Sequence, residues 1–466
     1  MSFTKSILLG SAAVLATVVG AQAADLPSKK AAPATYVKIC DAYGAGFFYI
    51  PGSDTCVKLG GYVRAEYQYV PGKDVINPAD GKVLQSKSSL AETGYETRGR
   101  IDVDARTPTS MGVARTFVRL RAANTSGIRN VKPSGTFGTQ TESVGSTTGI
   151  ATESAMIQWA GFTFGVAPEN YAMMPSQIYN ANPWAGFPNG MKQIAYTATL
   201  GGGISATVAL EDRRDFGYDP ESTVYQRVST GANIVANVRM DQAWGFAAVH
   251  GLVGNNGVNK ASVDGTVGDK TYMGYAIGAT VNFKLPMIAA GDQVWFTANY
   301  ADGALGAILS GGSLNNLATA SARRINGGVL YIASNVQQTA GPTTGATAAN
   351  PGVFDTTSGW NIAMAATHYW APQWRSNFSA GYVEFSPPTA ATSFTTLTLG
   401  KGKLWEVAGS LIYSPAKDFD IGLELQYANM KAALQNASTT NAWALAGSPG
   451  LKESNVTTKL RIERAF

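Results

Sequence analysis

The sequence predicts an all-β protein: a 16-stranded antiparallel transmembrane β-barrel with long extracellular loops. Three observations lead to this fold class. Apolar and polar residues alternate with a period of two in segment after segment. Charged residues make up only 14% of the 466 residues, against a usual share of about 25%. Beyond the N-terminal segment, no stretch approaches the roughly 18 consecutive apolar residues that a membrane-spanning helix needs. A chain of this kind is expected to cross a membrane with strands.

The first 23 residues are interpreted as a secretory signal peptide. A basic residue precedes an apolar run from Ile7 to Val19, and small residues at Ala21 and Ala23 form the cleavage site. The alternative is a lone N-terminal membrane anchor. The apolar run is short for an anchor, and the small residues sit where a peptidase needs them, so we expect an exported protein cleaved after Ala23.

Residues 24–57 are expected to form a periplasmic leader that carries a cysteine pair. Cys40 and Cys56 flank a stretch of turn-forming Gly, Pro, Asp and Ser residues. In an oxidising compartment such a pair favours a disulfide. A metal site is the alternative, and it is disfavoured because the two histidines of the chain, His250 and His368, lie far away in sequence.

Alternation starts with the first strand and continues to the end of the chain. In GYVRAEYQY, one face carries Val63, Ala65, Tyr67 and Tyr69, and the other carries Arg64, Glu66 and Gln68. The barrel is expected over residues 58–466. The alternating segments number sixteen: 59–70, 95–106, 112–123, 152–160, 162–169, 192–200, 203–211, 230–240, 243–252, 272–284, 293–301, 358–370, 374–385, 403–414, 419–430 and 454–466.

The connections between these segments alternate between short and long. Short turns of a membrane barrel face the periplasm and long loops face outward, so the long stretches are expected outside: 71–94, 125–150, 170–191, 302–357 and 431–452. The ninth segment is the least regular, because Gly245, Ala247 and Val249 do not make a polar face.

A soluble β-sandwich would explain alternation in any single segment. It does not explain sixteen such segments in a chain with so few charges, because a sandwich exposes polar side chains to water. In hydrocarbon every backbone group must be paired within the sheet, so the barrel must close. The last strand places Val456, Leu460, Ile462 and Phe466 on one parity, and its terminal ring is expected in the aromatic girdle at the membrane rim.

The positions of opposite parity are charged in the first three strands and in the last. The last strand, which must close beside the first, contributes Lys459 and Arg461. The first three contribute seven arginines: Arg64, Arg98, Arg100, Arg106, Arg115, Arg119 and Arg121. This stripe predicts a positive wall that sorts solutes by charge. Alternatively, the arginines only pair with Glu66, Asp102 and Asp104, and the two interpretations are compatible.

Catalysis finds little support in the sequence. A nucleophilic site needs a base next to its nucleophile, and both histidines are assigned near strand ends, where packing roles are common. No Gly-rich phosphate loop opens a helix. The net charge of +5 over 466 residues is too dilute to indicate nucleic acid binding. We therefore expect no enzyme activity, no cofactor and no metal.

The chain resembles the alphaproteobacterial, Rhizobiales-type general porins of the outer membrane. The resemblance rests on ADLPSKK after the cleavage site, YVKICDAYGAGFFYIPGSDTCVKLGGYVRAEY, RGRIDVDAR and the closing LRIERAF, and it extends over essentially the whole mature chain. It implies a homotrimeric 16-stranded barrel in the bacterial outer membrane, whose terminal Phe466 is read by the barrel-assembly machinery. It also implies that the third long loop, about residues 170–191, folds into the lumen and narrows the pore.

The resemblance implies a water-filled channel for passive diffusion of small hydrophilic solutes and ions. The alternatives are a substrate-selective channel for sugars or anions and a surface adhesin or structural barrel. The third loop contains Met, Tyr, Trp and Phe but almost no charge, unlike the acidic loop of many general porins. Glu169 at its base is the nearest carboxylate. We therefore expect a constriction that is positive on one side and aromatic or polar on the other.

Overall fold

The computed structural model describes residues 38–72, 75–76, 83–85, 92–134, 141–175, 179, 190–212, 226–229, 231–261, 267–309, 336–340, 353–388, 398–435 and 451–466. The signal peptide expected at 1–23 and the first part of the leader lie outside the described residues. The described chain is a closed antiparallel β-barrel of sixteen strands, which confirms the fold class. Among the described helices, none is long and apolar enough to span a membrane.

The barrel strands are numbered in chain order. They are β1 (Cys56–Tyr69), β2 (Thr93–Thr109), β3 (Gly112–Ser134), β4 (Thr141–Trp159), β5 (Phe162–Ala167), β6 (Met191–Gly201), β7 (Ile204–Glu211), β8 (Asn233–Gln242), β9 (Gly245–Ala261), β10 (Val267–Lys284), β11 (Gln293–Asp302), β12 (Ser358–Ala371), β13 (Trp374–Ser386), β14 (Thr398–Ala416), β15 (Phe419–Gln435) and β16 (Leu451–Ala465).

Shorter elements surround the barrel. Asp41–Tyr43 and Leu305–Ala307 each form a 3₁₀ turn. Two short strands extend the barrel sheet, Phe48–Tyr49 beside β1 and Gln226–Ser229 beside β9. Two small hairpins stand apart from it: Val75–Ile76 with Val83–Gln85, and Val336–Ala340 with Val353–Thr356.

The barrel closes where β16 pairs with β1. Arg64 lies opposite Glu463 in this register, and the pairing continues to the last residue of the chain. Phe466 donates its backbone N–H to the carbonyl of Gly61 at 3.1 Å and accepts from the Gly61 N–H at 3.2 Å. A Cβ at Gly61 would overlap the carbonyl of Arg100. Glycine is therefore required at this position of β1, between β2 and the end of β16.

All sixteen segments that the alternation predicts are strands, but several are longer than expected. Six of them extend toward the loops between hairpins by five residues or more: β3 to Ser134, β4 from Thr141, β9 to Ala261, β10 from Val267, β14 from Thr398 and β15 to Gln435. The apolar parity ends where the membrane ends, whereas backbone pairing continues in water. Sequence patterning therefore underestimates strand length at the extracellular side.

In the irregular ninth segment, β9, Gly245, Ala247 and Val249 make no polar face because their parity is the outward one, and the inner face of the strand is covered by protein. Val249 points outward and is 57% exposed, whereas Phe246, Ala248 and His250 point inward and are buried. The ring of Tyr171, from the loop after β5, packs against the His250 ring with centroids 4.6 Å apart. This strand faces protein on its inner side, so polar residues are not needed there.

The outer surface of the barrel is apolar, and a girdle of aromatic side chains lies near each end. At the short-turn end, Trp374 and Tyr413 stack with centroids 4.7 Å apart. At the long-loop end, the Trp360 and Tyr382 rings lie 5.3 Å apart and the Trp405 and Tyr427 rings 5.1 Å apart. Aromatic side chains prefer the membrane–water interface, so the hydrocarbon zone lies between these two aromatic girdles.

Cys40 and Cys56 form the disulfide that was expected from the sequence. Both sulfurs are buried together with Phe47. The guanidinium of Arg106, on β2, lies 4.8 Å from the centroid of the Phe47 ring. The disulfide thus fastens the segment before β1 to the short-turn end of the barrel.

We expect replacement of both Cys40 and Cys56 by Ser to loosen this segment without opening the barrel. The disulfide closes a loop with a sequence separation of 16 residues, and a loop of that size contributes about 3 kcal/mol in the chain-entropy model. Limited proteolysis should cut residues 38–55 faster in the variant and in the reduced wild type. Both should still show the mobility shift on heating that marks a folded barrel. Equal protection of residues 38–55 with and without the disulfide would contradict this role.

Candidate functional site

Arginines line one side of the lumen, on the inward faces of β1, β2 and β3. Alternation along each strand turns these side chains inward while their sequence neighbours face the membrane. We call the following set the arginine wall: Arg64, Arg98, Arg100, Arg106, Arg115, Arg119 and Arg121, with Asp102 and Asp104 between them. The side chains of Arg119 and Arg121 are 23% and 33% exposed, so they meet the water of the lumen.

The arginines of the wall are paired, but their carboxylates are shared. Arg100 and Arg119 pair with Asp102 at 3.2 and 3.0 Å, and Arg106 and Arg115 pair with Asp104 at 2.9 and 3.0 Å. Four guanidinium groups therefore share two carboxylates. The ion pairs and the positive character of the wall coexist, because this part of the wall has more cations than anions.

Three further carboxylates complete the ion pairs, and the sequence analysis did not include them in the site. Glu96 pairs with Arg98 at 2.7 Å, Glu153 with Arg121 at 3.1 Å, and Glu463 with Arg64 at 2.5 Å. Parity alone could have found Glu96 and Glu463, since both lie on the inward face. Glu153 lies where the register between β3 and β4 shifts, and strand patterning does not predict such a shift.

Aromatic rings separate the arginines of the wall. The Tyr62 ring has the guanidinium carbons of Arg64 and Arg100 at 4.6 and 4.3 Å from its centroid. The Phe117 ring has those of Arg115 and Arg119 at 5.0 and 5.2 Å. A cation over an aromatic face is stabilised electrostatically. The rings therefore hold like charges apart and fix the orientation of each guanidinium.

Lys459 and Arg461 point inward from β16 as expected, but they are covered. Lys459 is 1% exposed and Glu66, from β1, is 3% exposed. Arg461 forms an ion pair with Glu66, and the ammonium of Lys459 lies 3.9 Å from the same carboxylate. These two cations are therefore less accessible to water in the lumen than Arg119 and Arg121.

The third long loop leaves β5 and follows the inner wall. The Asn170 N–H donates to a carboxylate oxygen of Glu211 at 2.7 Å, and the Asn237 side chain donates to the Asn170 carbonyl at 2.9 Å. Tyr171 and Met174 are each 2% exposed. Burial raises the pKa of the Tyr171 phenol, so it stays neutral. Glu169 lies partly buried at the base of the loop.

Tyr179 brings the same loop to the opposite wall of the barrel. Its N–H donates to Glu424 on β15 at 2.5 Å, and its carbonyl accepts from the Lys459 ammonium at 2.8 Å. The Arg461 guanidinium lies 4.0 Å from the centroid of its ring. Residues 176–178 and 180–189 lie outside the described residues. The described contacts place residues 170–175 against β7 to β9 and Tyr179 against β15 and β16, so these parts of the loop lie inside the barrel.

Gly422 on β15 makes room for the Tyr179 side chain. A Cβ at this position would overlap the hydroxyl of Tyr179. Burial raises the pKa of the Tyr179 phenol to about 12, so the group remains neutral at physiological pH. We call this set of contacts the loop latch: Tyr179 with Gly422, Glu424, Lys459 and Arg461.

A second segment also lies inside the barrel, and this corrects the expectation of a wholly external loop over residues 302–357. Leu305, Ile308 and Leu309 are almost completely buried. The Asn361 side chain, on β12, donates to the Ile308 carbonyl at 2.6 Å. The Asn256 side chain donates to the carbonyl of Gly303, just after β11, at 2.8 Å. The apolar stretch LGAIL could have predicted this position, because apolar side chains are not expected in a loop that is exposed to water.

The inner segment and the third loop pack on an apolar part of the wall. The inward side chains there are Val383, Phe385, Leu404 and Met430, from β13, β14 and β15. These residues depart from the polar inner parity seen elsewhere, which is a second signal visible in the sequence. The lumen therefore has two different sides, and the water-accessible side is the one beside the arginine wall.

Buried polar groups join the remaining inner strands. His250 and Thr280 are linked at 3.1 Å, Thr280 and Thr297 at 3.0 Å, and Asn299 donates to Asn361 at 2.8 Å. Within the ranges that the structure describes, no group of three or more His, Cys, Asp and Glu side chains could hold a metal ion. The contacts of His250 with Thr280 and Tyr171 are those of a packed side chain.

Known proteins share this architecture and part of this sequence. Porin Omp2b of Brucella canis is 34% identical over 253 residues, which cover 52% of this chain and 64% of the relative. Porin Omp2b of Brucella melitensis is 33% identical over 255 residues, with the same shares. The match thus spans less than two thirds of the relatives. The outer membrane channel DcaP of Acinetobacter baumannii has the same fold, with a TM-score of 0.57, 16% identity, and coverage of 90% of this chain and 99% of that chain.

The family comparison covers far more of the chain than the individual relatives do. The model of the Porin subfamily, Porin_2, matches residues 25–454, a range that includes the arginine wall and, from the loop latch, Tyr179, Gly422 and Glu424. The structural observations agree with this match: a closed sixteen-stranded barrel, a charged lumen and an inward-folded third loop. The chain therefore belongs to the Porin subfamily and lies in the outer membrane.

Proposed function

We propose that this chain forms a water-filled channel through the outer membrane for passive diffusion of small hydrophilic solutes and ions. Membership of a porin family indicates a channel rather than an enzyme. The observation that carries the proposal is the partly exposed arginine wall on the inner face of a closed barrel. Charged groups are costly to bury without partners or water, and such a row is stable where it borders a polar passage.

The arginine wall gives the channel a preference for anions. Four guanidinium groups share Asp102 and Asp104, so the local potential is positive. The Debye length is about 8 Å at physiological salt. An anion that passes within this distance of the arginine wall is therefore attracted by its charge. This excess favours, as a second candidate, a channel that is selective for anionic solutes.

The third loop narrows the passage in this proposal. The loop latch holds Tyr179 beside β15 and β16. Nearer the start of the loop, the side chains of Tyr171 and Met174 are buried against the inner wall. The free path is thereby restricted to the space in front of the arginine wall. One face of this constriction is cationic and the loop face is aromatic and polar.

A homotrimer and recognition of Phe466 by the barrel-assembly machinery are part of the same proposal, as the resemblance implies. The outward faces of β2 and β3 combine small or hydroxylated side chains, Thr97, Gly99, Thr116 and Ala122, with the exposed side chains of Tyr95, Ile101 and Leu120, and this mixture is available for contact with another barrel. Chemical cross-linking of the native protein tests the trimer, and the amount of folded barrel after deletion of Phe466 tests the recognition.

We expect the purified protein to conduct ions when it is inserted into a planar bilayer. Conductance should rise in proportion to salt concentration, and the reversal potential in a salt gradient should have the sign of anion preference. A folded barrel without conductance would contradict the channel. Conductance that saturates with one anionic solute would favour the selective alternative over general diffusion.

We expect the double substitution Arg115→Ser and Arg119→Ser to raise single-channel conductance and shift the reversal potential toward cations. It removes two positive charges and much side-chain volume, while Asp102 and Asp104 keep Arg100 and Arg106 as partners. The barrel should therefore still fold. The matched control is Arg464→Ser, which removes an outward-facing arginine and should leave both quantities unchanged. Wild-type values in the folded double variant would show that these arginines do not line the path.

We expect Gly422→Ala to loosen the third loop. The added methyl group would overlap the Tyr179 hydroxyl, so the loop latch must shift, and single-channel traces should show more frequent fluctuations between conductance levels. The control is Gly409→Ala on the neighbouring strand, where an added Cβ meets Phe378 at 3.6 Å, an ordinary contact. Traces of Gly422→Ala that match those of Gly409→Ala would rule out a role of the latch in holding the loop.

A further inference from the structure

The chain before β1 extends the barrel sheet past the end of β16. The short strand Phe48–Tyr49 pairs with the first two residues of β1, beyond Gly61, where the pairing with β16 ends. Cys40 donates its backbone N–H to the carbonyl of Phe47 at 2.9 Å, so a third stretch of chain joins this small sheet. Residues 38–55 therefore lie on the rim of the barrel at its short-turn end, and we call them the rim segment.

One face of the rim segment is turned toward the lumen. Residues directly opposite on antiparallel strands share a face of the sheet. Cys56 lies opposite Arg106 of the arginine wall, so Cys56 points inward. Tyr49 lies opposite Cys56 and points inward as well, and Phe47, two residues earlier, occupies the same face. The disulfide brings Cys40 to this inward face too.

Cations of the inner wall contact the rim segment. The guanidinium carbon of Arg106 lies 4.8 Å from the centroid of the Phe47 ring and 5.7 Å from that of Tyr43. The Lys58 ammonium lies 5.9 Å from the Phe47 centroid, and a Cβ at Gly46 would lie 3.4 Å from the Lys58 side chain. The rings of Tyr43 and Phe47 meet edge to face, with centroids 5.9 Å apart. The rim segment thus packs against the inner side of the barrel wall.

Lys58 extends the arginine wall toward the short-turn end. It lies opposite Asp104 in the register of β1 with β2, on the inward face. Asp104 is already paired with Arg106 and Arg115 at 2.9 and 3.0 Å. Three cations therefore surround one carboxylate at this end of the wall. Lys58 is exposed, whereas the arginines of the wall are only partly exposed.

The rim segment adds little net charge of its own. The Lys38 ammonium lies 5.0 Å from the centroid of the Tyr49 ring. The acidic residues of the segment, Asp41 and Asp54, lie in a 3₁₀ turn and a bend and are exposed to water. The excess of positive charge at this end therefore comes from the inner wall, with Lys58 as its most exposed cation.

We infer that the rim segment borders the periplasmic exit of the channel, and that Lys58 is a specificity-determining residue for anions at this exit. The inference rests on the channel proposed above, whose short turns face the periplasm. An anion that leaves Arg115 meets Lys58 before it reaches bulk water. The rings of Tyr43 and Phe47 limit the exit from the other side, and the disulfide keeps them there.

The first test measures the reversal potential of the folded protein in a salt gradient across a planar bilayer. In Lys58→Gln, the ratio of anion to cation permeability should fall by roughly twofold at physiological salt, because one unit charge within a Debye length of the path is removed. Lys58→Arg keeps the charge and should keep the ratio. The matched control is Arg464→Gln, which removes a cation at the same end but on the outward face of β16, and it should leave the ratio unchanged.

The second test measures single-channel conductance while a dithiol reductant is added on the short-turn side. The reductant is oxidised as it converts the disulfide to two thiols, so the rim segment is no longer held at the exit. Conductance should rise to the value of the double variant Cys40→Ser and Cys56→Ser. The double variant itself should not respond to the reductant.

Two results would overturn the inference in a channel that conducts. Lys58→Gln could retain the wild-type permeability ratio, as Arg464→Gln should. Alternatively, reduction could make residues 38–55 sensitive to protease without changing the conductance, which would leave the rim segment with a structural role only. A folded wild-type protein without conductance would overturn the channel itself and the inference with it, so the two failures are distinguishable.

Discussion

Closure of the sheet is the constraint on which the rest of this structure depends. Each unpaired backbone N–H or carbonyl in hydrocarbon costs several kcal/mol, so an open edge is not tolerated there. The pairing of β16 with β1, continued by Phe466 and Gly61, removes the last edge. Closure also creates an inside and an outside, and the period of two in each strand then assigns every side chain to lipid or to lumen.

The inside of the barrel combines two ways of stabilising a membrane channel. On β1 to β3, guanidinium and carboxylate groups pair with each other, rings of Tyr62 and Phe117 separate the cations, and water completes their solvation. On β8 to β15, two chain segments fold inward and bury apolar side chains such as Leu305 and Phe385. The first arrangement lines the lumen with polar groups and the second fills space, so in the channel that we propose the passage runs along the arginine wall.

Cations on the two surfaces of the barrel differ in their surroundings. The inward arginines have carboxylates and aromatic rings as partners, and their planar donors can share Asp102 and Asp104. The outward Lys403 lies between Lys431 on β15 and Glu384 on β13. The same strand geometry that lines the lumen with charge can therefore also present charge to the membrane surface.

The sequence by itself determined the strands, their orientation and the inward positions of the arginines. Strand geometry is local: a period of two follows from the backbone, so Arg98, Arg100, Arg115 and Arg119 could be placed on the inner face from their spacing. The cysteine pair was equally readable, because Cys40 and Cys56 are close in sequence and separated by turns. The count of sixteen strands rested on the same local signal.

Only the tertiary structure decided which groups meet. Tyr179 reaches Gly422, Glu424 and Lys459, which are more than two hundred positions away in sequence, and these contacts exist only after the barrel has closed. The covering of Lys459 and the inward fold of Leu305 and Ile308 have the same origin. The alternation of residues predicts which face of a strand a side chain occupies, but not which loop lies against that face. The path of a loop through the lumen depends on all sixteen strands together.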